Sequence, residues 1–470
     1  MLNANVKHSF IKVVGEENFE DSKAGRLVYS YDATPNFQSM PDAVVSPRNK
    51  QEVAKIVKIC NENSIPIVPR GSGTNLCAGT CPTEGGIVLL FKHMNKVIEI
   101  DEENLTVTVQ PGVITLDMIN QVEAKGLFYP PDPSSMKIST IGGNINENSG
   151  GLRGLKYGVT RDYVMALEVV LANGDIIRTG GKLAKDVAGY DFTRLFVGSE
   201  GTLGIITEAT LKLIPMPETK KTMLALYQDI EAAAKSVSKI IANKIIPTTL
   251  EFLDQPTLVV VEAHAQIGLP TDVKAVLLIE QDGPPEVVER DMLKMEEICK
   301  KEQAISVKVA ASDEEAEALR TARRSALSAL ARLKPTTILE DATVPRSEIA
   351  KMVNGINEIA KKYDLNICTF GHAGDGNLHP TCPTDARDHD EMERVEKAFE
   401  EIFVKAIELG GTITGEHGVG VMKAPYLELK LGKEGIAAMQ AVKNALDPNN
   451  IMNPGKVFAK DSRKRVVITK

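Results

Sequence analysis

Two short glycine-rich runs hold three of the seven histidines in this chain of 470 residues. The first covers residues 371–379 and reads GHAGDGNLH, and the second covers residues 415–420 and reads GEHGVG. Glycine lets the backbone adopt positive φ and approach a ligand closely, so the polar groups within such runs can converge on one point. Imidazole and carboxylate groups are side chains that bind divalent metals.

Two interpretations of these runs are open. In the first, His372, His379 and Glu416 bind a divalent metal, Fe2+ or Zn2+. His417 then stays free as an acid or base, and Asn377 joins the catalytic candidates. In the second, the runs are turns whose histidines cap neighbouring backbone. Because there are two runs, and one of them has adjacent Glu and His, the metal or catalytic interpretation is favoured.

Length and composition limit the classes of protein that this chain can belong to. A chain of 470 residues is too long for one core and predicts two or three domains. A net charge of -8 argues against a nucleic-acid surface, and the one visible basic run covers residues 463–465. No apolar stretch reaches the roughly 18 residues of a membrane span, and the N-terminus has no apolar core of a secretory signal. The expected location is the cytoplasm.

The six cysteines are scattered and include no CxxC pair. This pattern argues against a disulfide framework, and an iron–sulfur cluster needs clustered thiolates. If the chain is a redox enzyme, its electrons leave through something other than a built-in cluster.

Three further glycine-rich segments lie in the first half of the chain. A predicted strand at residues 65–68 leads into residues 69–75, PRGSGTN, where bare backbone N–H groups can surround anionic oxygens. Neither GxGxxG nor GxxxxGK[ST] occurs in the chain. Residues 139–151 hold four glycines and three asparagines, and we interpret them as a ligand-binding loop rather than a flexible linker. The third segment, residues 198–206, runs into a strand.

Hydrophobic periodicity predicts the main elements. A helix is expected from Pro47 with Ser46 as its cap, and a hairpin from strands at 97–100 and 105–109. Composition shifts at residues 215–219, where we place a domain boundary. Beyond it, strands such as 259–261 and 275–280 alternate with helices at 231–242, 314–331 and 390–409.

The motifs resemble a known family. Residues 69–75, 131–134, 140–151 and 198–206 resemble the FAD-binding elements of the vanillyl-alcohol oxidase / p-cresol methylhydroxylase superfamily. Residues 371–379, 415–420 and 449–455 resemble its branch that contains the glycolate oxidase FAD subunit, FAD-linked D-lactate dehydrogenases and D-2-hydroxyglutarate dehydrogenase. The resemblance runs from about residue 40 to about residue 457.

The resemblance implies an α+β fold, with a two-subdomain FAD-binding unit of the p-cresol methylhydroxylase type and a ferredoxin-like α/β cap. It divides the chain into an FAD-binding domain (1–218), a cap domain that carries the metal site (219–421) and a C-terminal segment that returns to the FAD domain (422–470). Because Thr74 stands where some relatives carry a histidine that tethers FAD, the flavin is expected to be non-covalent. The implied FAD contacts are Pro69, Arg70, Gly71, Ser72, Gly73, Thr74, Asn75, Pro131, Asp132, Thr140, Gly142, Gly143, Asn148, Gly150, Glu200, Gly201, Ile206 and Asn453.

The resemblance also implies a reaction. In the branch, the positions of His372, His379 and Glu416 bind a divalent metal, and His417 corresponds to the base. Arg323 is the best match for the arginine that binds the substrate carboxylate, with Arg320 and Arg324 competing. The expected activity is FAD-dependent oxidation of a small 2-hydroxy acid, first of all D-lactate to pyruvate. An electron-transferring flavoprotein or an iron–sulfur subunit would accept the electrons.

The alternatives are a glycolate or other D-2-hydroxy-acid dehydrogenase with another acceptor, a non-redox flavin-dependent transferase of the same fold, and a metal-dependent hydrolase without flavin.

Overall fold

In a computed structural model, residues 2–458 are described, so the basic run at 463–465 lies outside the described residues. The part before residue 216 contains eleven strands: β1 (Phe19–Glu20), β2 (Ala43–Val45), β3 (Ile67–Arg70), β4 (Ile87–Leu90), β5 (Val97–Asp101), β6 (Thr106–Val109), β7 (Leu127–Phe128), β8 (Val164–Val170), β9 (Ile176–Gly180), β10 (Ile205–Lys212) and β11 (Ile214–Pro215). Its helices are α1 (Ala4–Val14), α2 (Lys23–Val28), α3 (Lys50–Glu62), α4 (Thr115–Glu123), α5 (Ile141–Glu147), α6 (Gly154–Tyr157) and α7 (Phe192–Phe196).

The remaining described elements follow residue 218. The strands are β12 (Thr219–Tyr227), β13 (Thr249–Asp254), β14 (Ala275–Gly283), β15 (Ser306–Val309), β16 (Thr336–Leu339), β17 (Ala342–Thr343), β18 (Cys368–His372) and β19 (Asn377–Thr384). The helices are α8 (Ile230–Ala242), α9 (Gln255–Ala265), α10 (Pro285–Lys301), α11 (Asp313–Arg324), α12 (Ala326–Leu330), α13 (Ile349–Lys362), α14 (His389–Glu408) and α15 (Leu427–Leu446).

Two sheets form the core of the first part. One has the order β1-β2-β4-β3, and its β2–β4 and β3–β4 ladders are parallel. The other has the order β5-β6-β10-β8-β9 and is antiparallel. The predicted hairpin at 97–109 is confirmed as β5–β6. Two sheets with separate hydrophobic clusters are what a chain of this length requires, because one core stops growing well before this size.

The prediction for the start of α3 was wrong. The helix begins at Lys50 and is capped by Asn49, whose side chain accepts a hydrogen bond from the N–H of Glu52 at 3.0 Å. Ser46 instead directly follows the buried strand β2 and donates its N–H to the carbonyl of Asn18. Asn is as good a cap as Ser, and Asn49 serves here because Ser46 pairs with Asn18.

A large sheet organises the second part. Its order is β15-β12-β14-β13-β18-β19-β16, with β17 paired to β19, and every ladder is antiparallel. One face packs on α8, α10, α13 and α14, and the other packs on α9, α11 and α12. Phe252 and Leu277 enter the first core, whereas their neighbours Leu253 and Val276 enter the second, as strand alternation requires.

The predicted strand at 259–261 was wrong, because these residues lie in the helix α9. Asp254 caps that helix by accepting the N–H of Thr257 at 2.9 Å, and a proline occupies its first turn. A short run of valines does not distinguish a strand from a buried helix by periodicity alone.

The chain returns to the first part after α15. The N–H of Ile67 donates to the carbonyl of Ile451 at 2.7 Å, and the N–H of Asn453 donates to the carbonyl of Ile67 at 2.8 Å. The last described segment therefore lies along β3, which feeds the first glycine-rich loop. The division into three domains stays a prediction, and its first boundary falls between β11 and β12. Within residues 2–458, no helix is both long enough and apolar enough to cross a membrane.

Helix α14 provides a test of the second core. Ile402 is fully buried there, whereas Val404 on the same helix is 38% exposed. Ile402→Ala should lower the free energy of unfolding by about 2–5 kcal/mol because it leaves a cavity. Val404→Ala should change it by less than about 0.5 kcal/mol. Urea unfolding of both variants checks this, and equal effects would show that α14 does not pack as described.

Candidate active site

The first histidine run forms the hairpin β18–β19, with a turn between His372 and Asn377. The register pairs His372 with Asn377 and Phe370 with His379, so the two histidines are diagonal neighbours on one face. The ring centroids of His372 and His379 are 5.1 Å apart. The spacing of six residues between the histidines is therefore what brings them together.

Glu416 from the second run completes the cluster. Its Oε1 lies 3.2 Å from Nε2 of His372 and 3.3 Å from Nε2 of His379. The ligand atoms of His372, His379 and Glu416 all lie within 4.8 Å of one another. The structure thus brings together the three predicted metal ligands, and two imidazoles with one carboxylate fit a divalent cation.

Glu251 lies behind this cluster, and sequence reasoning missed it. It is fully buried on β13, and its Oε1 lies 2.7 Å from Nδ1 of His372. A carboxylate on one ring nitrogen fixes the tautomer and directs the other nitrogen to a metal. The register of β13 with β18 places Glu251 opposite His372, but nothing in the strand sequence TLEFLD reveals that pairing.

The charge states within the cluster also fit a divalent cation site. Burial lowers the pKa of His372, but the Glu251 and Glu416 carboxylates outweigh it, so the pKa lies well above its usual value. Burial raises the pKa of Glu416, yet hydrogen bonds from His372 hold it well below its usual range. Without a metal, a proton on His372 balances the carboxylates on either side of its ring. A cation at this point would take over that role.

His417 lies beside the cluster without joining it. Its ring stacks on His379 with centroids 5.2 Å apart, and its Nδ1 lies 3.4 Å from Oδ1 of Asp341. Burial lowers the pKa of His417 to about 4, although Asp341 opposes the shift. A neutral imidazole at pH 7 can accept a proton, as the predicted base must.

Asn377 and the three arginines occupy different environments. Asn377 is buried, and its Oδ1 accepts a hydrogen bond from Thr343 at 3.0 Å. Arg323 is buried, with Nη2 2.6 Å from Oε2 of Glu251, and its guanidinium stacks on Phe370 at 4.8 Å. Arg323 therefore contacts the carboxylate that supports His372.

Arg320 and Arg324 are bound elsewhere. Arg320 is held by Glu280 at 2.5 Å and by Glu317 at 2.8 Å. Arg324 is 25% exposed and faces the first part of the chain, with Nη2 3.8 Å from Asp132. The role of Arg323 on the substrate carboxylate stays a prediction.

Ten of the predicted FAD contacts line one cavity in the first part of the chain. They are Pro69, Arg70, Gly71, Thr140, Gly142, Gly143, Glu200, Gly201, Ile206 and Asn453. The predicted loop at 139–151 is partly wrong, because residues 141–147 form α5 with Thr140 as its cap. The helix still exposes Gly142 and Gly143 to the cavity.

The cavity contains polar groups that fit FAD. Arg70 is buried, and within residues 2–458 it forms no salt bridge; burial lowers the pKa of its guanidinium. An anion such as a pyrophosphate would supply the missing charge. Oε2 of Glu147 and Oδ1 of Asn453 are buried without hydrogen-bond partners and are available to hydroxyl or amino groups of a ligand.

The other predicted FAD contacts connect this cavity to the histidines. A Cβ on Gly150 would lie 2.7 Å from Oε2 of Glu416, so the two touch. Nδ2 of Asn75 donates to the carbonyl of His417 at 3.4 Å. Asp132 is buried near Arg153 and Arg324. Five positions remain. Ser72, Gly73 and Thr74 follow Arg70 on its loop, Pro131 precedes Asp132, and the side chain of Asn148 accepts the N–H of Arg161.

Comparison with known families explains this pairing of sites. Residues 216–457 match the family described as "FAD linked oxidases, C-terminal domain", and residues 41–180 match "FAD binding domain". The chain belongs to the FAD-linked oxidase family. This FAD-linked oxidase is 78% identical to the "Glycolate oxidase subunit GlcD" of Bacillus subtilis (strain 168) over 99% of each chain. It is 37% identical to a "D-lactate dehydrogenase" of Anaerostipes hadrus, covering 95% of this chain and 94% of that protein.

Solved structures confirm the predicted fold class. A p-cresol methylhydroxylase with substrate bound matches 97% of this chain and 96% of its own, with a TM-score of 0.81 and 20% identity. An alkyldihydroxyacetonephosphate synthase matches 97% of this chain and 86% of its own, with a TM-score of 0.77 and 20% identity. At this identity the likeness shows the fold alone.

The charge state of His372 predicts how metal affinity depends on pH. Because a metal must displace the proton on Nε2, and the pKa of His372 is raised, affinity should increase with pH up to that pKa and then level off. A slope of about tenfold per pH unit is expected for one displaced proton. Zn2+ titration of the FAD-loaded protein at several pH values measures it, with the exposed His264→Ala variant as control for surface binding. An affinity that does not depend on pH between roughly 6 and 8 would contradict the assignment.

Proposed function

We propose that this FAD-linked oxidase oxidises a small 2-hydroxy acid, glycolate in the first place, beside a divalent metal held by His372, His379 and Glu416. The observation that carries the proposal is the cluster of two buried histidines and the partly buried Glu416, which lies beside His417 and contacts the predicted FAD segment at Gly150. The 78% identity to a protein named as a glycolate oxidase subunit supports glycolate.

D-Lactate is the second candidate substrate. It is glycolate with one added methyl group, and relatives 36–37% identical over 92–95% of this chain carry the name D-lactate dehydrogenase. One methyl group in a pocket changes binding by only about 1–3 kcal/mol. The groups that hold the carboxylate and the hydroxyl would serve both substrates.

The proposed roles of the residues follow from their charge states. A bound metal would supply positive charge that lowers the pKa of the substrate hydroxyl. The imidazole of His417 would accept the hydroxyl proton, since it is neutral at pH 7 and beside the cluster. The residues that line the first cavity, among them Arg70 and Asn453, would hold FAD, which would supply the acceptor for a hydride from the substrate carbon. The charges of Glu251 and Glu416 keep His372 and His379 directed at one point.

Arg323 would bind the substrate carboxylate. Its Nε and Nη2 are buried without a hydrogen-bond partner of good geometry, although Nη2 is within ion-pair distance of Glu251. A buried N–H without an acceptor is costly, and a carboxylate would provide one in the geometry that a guanidinium prefers. Arg320 lacks this capacity because Glu280, Glu317 and Thr222 already occupy it.

The electron acceptor is proposed to be a partner protein, either an electron-transferring flavoprotein or an iron–sulfur subunit. The six cysteines are all buried and free in the described part, and their thiols form no cluster there. This supports electron transfer to another protein. The cytoplasmic location also stays a prediction.

Anaerobic flavin bleaching tests the substrate. Glycolate and D-lactate should reduce the bound flavin, with glycolate faster, and L-lactate should not reduce it within the same time. Absorbance at the flavin bands follows the reaction. If none of these acids bleaches the flavin while dithionite does, the proposed substrate class is wrong.

His417 provides the test of the proposed base. His417→Ala should retain bound FAD, because the side chain does not line the FAD cavity, but should slow flavin reduction by about 10²–10⁴-fold. Stopped-flow reduction under anaerobic conditions measures the rate, and His264→Ala is the matched exposed control. Reduction at the parent rate in His417→Ala would remove this residue from the mechanism.

A further inference from the structure

We propose that Asp341 is a positioning residue that fixes the loop of residues 415–417, so that Glu416 reaches the two histidines and His417 lies beside them. The inference rests on the proposed function, because it assigns a role toward the proposed metal and base. Asp341 is fully buried in the link between β16 and β17, within the sheet that carries His372 and His379.

One carboxylate oxygen of Asp341 accepts three successive backbone N–H groups. Oδ2 accepts from Gly415 at 2.6 Å, from Glu416 at 2.7 Å and from His417 at 3.3 Å. Hydrogen bonds to a charged acceptor are about twice as strong as neutral ones. The backbone of the two residues that carry the proposed metal ligand and base is therefore fixed by a single side chain.

The second oxygen of Asp341 faces different groups. Oδ1 accepts from the Thr414 hydroxyl at 3.0 Å, forms an ion pair with Lys423, and lies 3.4 Å from Nδ1 of His417. Lys423 is fully buried and also lies 3.2 Å from Glu340. A buried carboxylate persists only when it is paired and hydrogen-bonded, and Lys423 satisfies this condition.

The other end of the loop is held independently. The carboxylate of Glu200 accepts the N–H groups of Val419 at 2.6 Å and of Gly420 at 2.7 Å. Glu200 belongs to the wall of the predicted FAD cavity, whereas Asp341 belongs to the sheet of the histidine hairpin. Asp341 therefore fixes the position of the Glu416 part of the loop relative to the two histidines.

The loop packs against two side chains at Gly415. A Cβ on Gly415 would lie 2.3 Å from Oγ1 of Thr343 and 2.7 Å from the side-chain amide of Asn377. The predicted catalytic candidate Asn377 therefore packs on the backbone that Asp341 holds. Both contacts act on Gly415, immediately before Glu416.

An amide at position 341 cannot replace the carboxylate. Asn carries one acceptor oxygen and one NH2 donor, whereas both oxygens of Asp341 face donors. Whichever way the amide of Asp341→Asn turns, its NH2 group meets either the three loop N–H groups or the Lys423 ammonium. The variant should keep the size of the side chain and lose the geometry of the loop.

The test is a Zn2+ titration of the FAD-loaded Asp341→Asn protein against a chromogenic chelator. We expect affinity for Zn2+ to fall about 10–100-fold, the effect typical of losing a group that orients a metal ligand. Flavin reduction should stay slower than in the parent at saturating Zn2+, because His417 is displaced as well. Parent-like Zn2+ affinity in Asp341→Asn would overturn the proposal.

Asp447→Asn is the matched control. Asp447 is buried, accepts the N–H groups of Ile451 and Met452 at 3.0 and 2.7 Å, and pairs with the buried Lys443. It repeats the chemistry of Asp341 with partners in the C-terminal segment. Asp447→Asn should lower the melting temperature and leave Zn2+ affinity within about twofold of the parent. An equal fall of affinity in both variants would show a general loss of stability and overturn the proposal.

Two further variants separate the remaining outcomes. If Asp341→Asn does not retain FAD, Thr414→Val is the test. This variant removes one hydroxyl donor to Asp341 and should lower Zn2+ affinity about two- to fivefold. No change in Zn2+ affinity would overturn the proposal. His379→Ala should abolish Zn2+ binding. If His379→Ala binds Zn2+ like the parent, the proposed metal site is wrong. If His379→Ala loses Zn2+ while the Asp341→Asn and Thr414→Val variants keep parent-like affinity, only the role proposed for Asp341 is wrong.

Discussion

Buried carboxylates hold the loop of residues 415–420 between the two halves of the chain. Asp341 accepts three of its backbone N–H groups from one side, and Glu200 accepts two from the other. Each buried charge would be costly alone, and each is stabilised by N–H donors, with Lys423 paired to Asp341. The loop therefore connects the predicted FAD cavity to the histidine hairpin. Glu416 and His417, the proposed metal ligand and base, both lie on this loop.

The proximity of His372 and His379 could be predicted from the sequence because its geometry is local. A spacing of six residues across a tight hairpin puts His372 and His379 on one face, and glycine at position 376, with φ of 86°, allows the turn. Glu416 was found because it adjoins the third histidine, His417, in the second glycine-rich run. Glu251 and Asp341 could not be found, since their roles depend on strand register and on a loop that arrives 74 residues later. Contacts between residues that are far apart in the chain leave no characteristic spacing in the sequence.

The prediction of local structure failed where two backbone conformations are compatible with the same sequence pattern. Three valines at 259–261 suit a buried strand, but the Asp254 cap and the following proline start a helix. Residues 139–151 suit a loop by composition, but Thr140 caps α5 and the apolar Ile141 and Ile145 bury one side of it. In both cases the correct signal was a capping residue. The function assigned to residues 139–151 did not depend on the error, because Gly142 and Gly143 line the cavity from a helix as they would from a loop.

Fold and site carry different parts of the functional argument. The FAD-binding fold is shared with proteins of only 20% identity, among them a hydroxylase and a synthase by name, so the fold alone does not select a reaction. The roles proposed for the histidine cluster and for Arg323 would require a substrate with a hydroxyl group that can reach a metal and a carboxylate that can reach Arg323. Those two groups are common to glycolate and D-lactate. The choice between them therefore depends on the space around one methyl group, which changes binding by only about 1–3 kcal/mol.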